Sequence, residues 1–154
     1  MRLSIDIPMK PVTLNTANKY SVFGKRVFSR KSDNAKIFGK IFQSTLDFQK
    51  QDEIHNFALH YASLDNPCIV AGYTITLEKF WTKKGFISKT CLDLENGTKY
   101  ATDLLFKEIK KTFKDCDDSQ IIRLFSDKWH GDDGIRIDLE SFEIEEYVNR
   151  MVLA

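Results

Sequence analysis

Between Asp93 and Ile122 the chain carries Asp93, Glu95, Asn96 and Lys99, then an amphipathic run, then Asp117-Asp118-Ser119-Gln120 ahead of the apolar pair Ile121-Ile122. Carboxylates at i and i+2 on extended backbone point the same way, because side chains alternate along a strand. Asp93 and Glu95 are therefore expected to share a face. A loop that brings Asp117 and Asp118 back to that pair would close an oxygen-rich pocket, the environment that hard divalent cations such as Mg²⁺ prefer.

These residues need elements to place them. Tyr100, Leu104, Leu105, Ile109 and Phe113 recur at helical spacing, with Lys107, Lys110 and Lys111 mostly on other faces, which predicts a helix from Asn96 or Gly97 to Lys114. Upstream, Cys68–Trp81 reads as a long strand with Tyr73, Ile75 and Leu77 on one face. Trp81–Phe86 is a basic turn containing Gly85, and Phe86–Leu94 is expected to return as a strand that delivers Asp93 and Glu95. Lys83, Lys84 and Lys89 then lie near the delivery point. Downstream, strands are expected over Ser119–Trp129 and Ile135–Ile144, with a short helix over the last ten residues.

The N-terminal third is the basic one. Leu3, Ile5 and Ile7 alternate as a strand that Pro8 and Pro11 end. Thr13–Lys31 lacks a clean period and is expected to be a loop, with a short hairpin around Gly24. Asn15, Lys19, Lys25, Arg26, Arg30 and Lys31 are candidates for phosphate contacts there. Tyr20 and Phe23 can either stack on unpaired bases or anchor the loop to the core. Ser32 or Asp33 caps a helix to about Gln49 with Ile37, Ile41, Phe42, Leu46 and Phe48 inward. A second helical piece covers Glu53–Ala62, with Ile54, Phe57, Ala58 and Tyr61 as its stripe.

Length and composition set the outer limits. The 154 residues suit one domain, 1–154, with a real core. No apolar run approaches the ~20 residues that span a bilayer, and the start MRLSIDIPMK has neither a long apolar core nor a cleavage site, so a cytoplasmic protein is expected. Cys68, Cys91 and Cys116 are odd in number and lack a CxxC pair, which suits reduced thiols. The net charge is +1, but residues 1–40 hold nine basic side chains against two acidic, and residues 115–146 eleven acidic against three basic. Such segregation suits a protein that grips a polyanion while binding a cation, or else a solvated, charge-balanced surface. Asp115–Gln120 begins like a calcium loop but lacks its glycine and bidentate Glu. No phosphate-binding glycine loop, dinucleotide motif or nucleophile elbow is present.

The run Asp93, Glu95, Asn96, Lys99, Asp103, then Asp117, Asp118, Gln120 and Ile121 resembles the RusA family of Holliday junction resolvases. That family shows Asp-x-Asp-Asn-x-x-Lys-x-x-x-Asp and, after a helix, Asp-Asp-x-Gln-(Ile/Val). The opening Ile5-x-Ile7-Pro8-x-x-Pro11 and Asn15 look like the family's first strand and loop. Two departures are evident: Glu95 stands where the family has Asp, and residues 45–65 look longer than its usual helix.

The resemblance implies an α+β domain with a single mixed, mostly antiparallel sheet and helices packed on it. It implies a phage or prophage homodimer that nicks opposed strands of a four-way DNA junction. Asp93, Glu95 and Asp118 would hold Mg²⁺, or Mn²⁺ in its place, and Lys99 would sit against the scissile phosphate. On their own, Glu95 and Lys99 have the spacing of an ordinary i, i+4 ion pair, worth about 0.2–0.5 kcal/mol; the downstream acid pair favours the metal site. Two other functions remain open: a non-catalytic branched-DNA-binding protein, and a non-nucleic-acid interaction domain whose acidic 115–146 region meets a basic partner.

Overall fold

The computed structural model describes residues 1–153, without the side chains of Leu14, Asn15 and Phe28. It is an α+β fold built on a four-stranded sheet. Strand β1 (Arg2–Ile7) buries Leu3, Ile5 and Ile7 as their alternation predicts. It pairs antiparallel with β6 (Gly134–Glu143), with Ile5 opposite Ile137. Strand β4 (Pro67–Leu77) lies on the far side of β6, again antiparallel. Strand β5 (Ile121–His130) closes the order β1-β6-β4-β5 and runs parallel to β4. A parallel neighbour needs a crossover, and α4 (Leu94–Thr112) is that crossover.

A separate two-stranded ribbon, β2 (Asn18–Phe23) with β3 (Arg26–Lys31), follows the short helix α1 (Leu14–Ala17). Its tight turn places Gly24 at φ 62°, a conformation open to glycine without strain. The hairpin expected around Gly24 is present and longer than the sequence suggests.

Helix α2 (Asp33–Thr45) is capped by Ser32, whose Oγ accepts from Ala35 N at 3.2 Å. It continues through a π-helical stretch, Leu46–Lys50, into α3 (Gln51–Ser63). The buried stripe is Ala35, Phe38, Phe42 and Leu46. The expected inward residues Ile37 and Phe48 are exposed, at 49% and 86%. Ile37 lies one residue off the stripe, and Phe48 stands two positions past Leu46, about 200° round the helix and so on its opposite side. In α3 the expected stripe holds: Ile54, Phe57, Ala58 and Tyr61 are buried.

Helices α2, α3 and α4 contact the sheet on the face carrying Ile5, Ile137, Ala71, Tyr73 and Ile75. The C-terminal helix α5 (Ile144–Leu153) packs near Phe142, which faces the other way: Arg150 lies over the Phe142 ring at 4.7 Å.

The return strand expected over Phe86–Leu94 does not form. β4 stops at Leu77, residues 82–85 make a tight turn with Gly85 at φ 80°, and a single bridge joins Trp81 to Ile87. The reason is topological: β6 occupies one side of β4 and β5 the other, so no edge is left for a returning strand. No helix of the described residues is long and apolar enough to cross a membrane.

Candidate metal and phosphate site at the start of the long helix

Asp93 is the N-cap of α4, with extended backbone and its Oδ1 accepting from Glu95 N at 3.1 Å. Glu95 lies in the first helical turn. The two carboxylates therefore do not share a strand face, which corrects the expectation from i, i+2 spacing. The helix begins two to three residues earlier than expected because Asp is a strong N-cap and an acidic first turn suits the positive end of a helix. That start brings Gly97 into the first turns, where the helix approaches the sheet closely. A Cβ on Gly97 would lie 2.5 Å from Leu92 Cδ2 and 3.1 Å from Ile75 Cδ1.

The second half of the motif reaches α4 through a single 3-10 turn, Asp118–Gln120, which Asp117 caps by accepting from Ser119 N at 2.9 Å. Lys99 Nζ lies 2.9 Å from Asp103 Oδ1 and donates to Asp118 Oδ2 at 2.9 Å. Asp117 instead pairs with Lys110 farther along α4. The acid pair thus divides, one carboxylate to each lysine, and clamps the turn along the helix. Asp103 and then Asp118 push the Lys99 pKa well above the usual lysine range. Lys110 first, then the Ser119 N–H, holds Asp117 well below the carboxylate range.

Below this cluster Tyr73 OH and Thr102 Oγ1 are 2.6 Å apart, both buried. Burial pushes the Tyr73 phenol up, and the charge of Asp118 adds to the shift. Lys128, on β5, donates to Leu92 O at 3.2 Å and so ties down the segment that delivers Asp93. Lys128 was missed as a site residue; the signal was its inward parity on β5, opposite Ile75.

Asp93, Glu95 and Asp118 supply only carboxylate oxygens, and Asp93 and Glu95 are exposed while Asp118 is half-buried. As donors they fit a hard divalent cation. Among the described residues no three His, Cys, Asp or Glu side chains already close around one point. The Lys99 ammonium neutralises Asp118, so a bound cation competes with Lys99 for that carboxylate.

The basic candidates separate into three groups. Lys25, Arg26 and Arg30 are exposed on the β2–β3 ribbon, whereas Lys19 pairs with Asp33 at 3.4 Å. Lys31, at the ribbon's root, places its ammonium 4.9 Å from the centre of the Tyr100 ring, one residue along from Lys99. Lys83, Lys84 and Lys89 are exposed in and after the 82–85 turn. The Asn15 side chain lies outside the described residues. Tyr20 and Phe23 are 67% and 84% exposed, so neither anchors the ribbon to the core.

No family model matches the chain, and no curated protein matches it.

Proposed function

We propose that this chain is a Mg²⁺-dependent, structure-selective endonuclease of the RusA-like type, acting as a homodimer that nicks opposed strands of a four-way DNA junction. One observation carries the reading: Lys99 bridges to Asp118 at 2.9 Å, so the two halves of the motif meet at the start of a 19-residue helix. Asp93, Glu95 and Asp118 would hold the metal, which supplies Lewis acidity towards phosphate and a more acidic bound water.

The remaining chemistry belongs to the chain itself. Lys99 stays protonated across the working pH range and donates to a non-bridging phosphate oxygen as charge develops there, a contribution typically worth about 10²–10³ in rate. Asp103, its i, i+4 partner, keeps the ammonium in position when Asp118 is drawn away. The first turn of α4 presents backbone N–H groups and the positive end of the helix to the same phosphate. The β2–β3 ribbon grips the arms through Lys25, Arg26 and Arg30, and its exposed Tyr20 and Phe23 stack on bases unpaired at the branch point.

The rival, a binder of branched DNA that does not cut, treats the Lys99–Asp118 bridge as permanent. Lys99→Gln and Asp118→Asn separate the two. The nuclease reading expects both variants to bind a labelled junction and to lose cutting by at least about 10²-fold. A wild-type protein that binds junctions tightly and never cuts them gives the case to the rival.

A further inference from the structure

The sheet ends on an uncovered strand. β5 pairs with β4 on one side, and its other side closes the sheet order. It is ten residues long and contains neither proline nor glycine; its one irregularity is a bulge at Ile122, near its start, and beyond it Arg123–His130 offers an unbroken row of backbone N–H and C=O groups. Soluble proteins normally blunt such an edge with a charge, a bulge or a cover. Here Ile122, Leu124, Phe125 and Trp129 are exposed on it, and its one lysine, Lys128, is turned to Leu92 O.

We propose that β5 pairs antiparallel with β5 of a second copy of this chain, about a two-fold axis at Phe125. Charge selects this occupant and this register. Arg123 and Asp127 lie on the same strand face, four residues apart, because side chains alternate. A two-fold at Phe125 sets Arg123 of each copy opposite Asp127 of the other, giving two cross-strand ion pairs, with the phenylalanines facing one another between them. A shift of two residues in either direction breaks both pairs and sets Phe125 opposite a charged residue.

Both charges are available for this pairing. Asp127 makes no salt bridge among the described residues. Arg123 stacks on Phe125 with its guanidinium 4.4 Å from the ring centre and donates to Met151 Sδ at 3.0 Å; neither contact neutralises it. The Met151 contact also brings α5 to this edge, and α5 exposes Val148, Val152 and Leu153. A second copy would cover that apolar strip together with the strand.

The pairing stands on the edge strand alone and does not need the nuclease reading. If that reading also holds, the axis has a consequence for it. Ile121, which follows the Asp118 turn, is displaced by eight strand residues from Ile121 of the second copy, about 26 Å. Two sites would then face one junction with opposite polarity.

Sedimentation and charge reversal test the proposal. The wild-type protein should sediment as a dimer. Arg123→Asp or Asp127→Arg should each weaken dimerisation about tenfold or more, since each turns two attractive pairs repulsive. The double variant Arg123→Asp/Asp127→Arg should restore it. The thiols introduced by Phe125→Cys should cross-link two copies on mild oxidation, while Glu78→Cys, away from the edge, should not. Circular dichroism checks that every variant is folded. A monomeric wild type would overturn the proposal, and so would a dimer indifferent to both single reversals and uncross-linked through position 125.

Discussion

Gly97→Ala tests how closely the start of α4 is pressed onto the sheet. Taken alone, the substitution should help, because alanine in a helix interior is favoured over glycine by about 1 kcal/mol. Packing opposes it. The new methyl would lie 2.5 Å from Leu92 Cδ2, 3.1 Å from Leu92 Cγ and 3.1 Å from Ile75 Cδ1. Ile75 is fully buried in the central strand and cannot give way, so Leu92 must rotate. Overpacking of this kind typically costs about 1–3 kcal/mol. The two effects leave a net loss of about 1 kcal/mol, which for a chain of this length lowers Tm by about 2–4 °C.

Gly39→Ala is the control. It sits in α2, and its Cβ would meet only Tyr100 OH at 3.8 Å, an ordinary contact; it should stabilise by about 0.4–1 kcal/mol. Urea unfolding of the three proteins gives the comparison. Leu92 neighbours Asp93 and is held by Lys128, so Gly97→Ala should also slow junction cleavage more than its stability loss explains. If Gly97→Ala stabilises as Gly39→Ala does, the close approach of helix to sheet is wrong, and with it the placement of Asp93.

Other expectations follow from single contacts. Asn caps helices about as well as Asp, so Asp93→Asn should leave thermal stability within experimental error yet abolish Mg²⁺-dependent cutting, whereas Asp93→Ala should lose both, with about 1 kcal/mol of stability; equal cutting by wild type and Asp93→Asn would remove Asp93 from the site. Neutralising Lys25, Arg26, Arg30 and Lys31 together should reduce the slope of log affinity against log salt by about 3–4 for each protomer that engages the junction; an unchanged slope moves the DNA surface off the ribbon. Burial pushes the Cys116 thiol up to about 12 from 9.0, so the folded protein keeps that proton while the unfolded chain loses it. Stability should therefore fall as pH rises from about 9 to 12, and Cys116→Ser should flatten that fall. Its native thiol should resist alkylation that reaches the half-buried Cys91.

Much of the framework was legible in the sequence, and the failures have separate causes. Leu3, Ile5 and Ile7, the β4 alternation and the α3 stripe are local patterns, and each forms as read. The return strand after Phe86 failed because what excludes it is distant in sequence: β5 and β6, some fifty residues on, take both sides of β4. Asp93 and Glu95 were read on a strand for the same reason, although Asp followed two residues later by Glu is also a helix-start signal. Phe48 misled because it is apolar, although two positions past Leu46 is the far side of a helix at 3.6 residues per turn. Asp118 returns to α4 but meets Lys99, which also pairs with Asp103, rather than closing a pocket with Asp93 and Glu95 as the sequence suggests. The division of Asp117 to Lys110 and Asp118 to Lys99 depends on the angle at which the 3-10 turn meets α4, which spacing does not encode.

The proposed reaction is metal-dependent cutting of branched DNA by way of Asp93, Glu95 and Asp118. It is tested most directly by incubating the wild-type protein with an end-labelled synthetic four-way junction and, in parallel, the matching linear duplex, each with Mg²⁺ and with EDTA. Paired nicks on opposed strands of the junction, with Mg²⁺ only, and none on the duplex are expected. Junction binding without cutting at any Mg²⁺ or Mn²⁺ concentration, or equal cutting of junction and duplex, would contradict it.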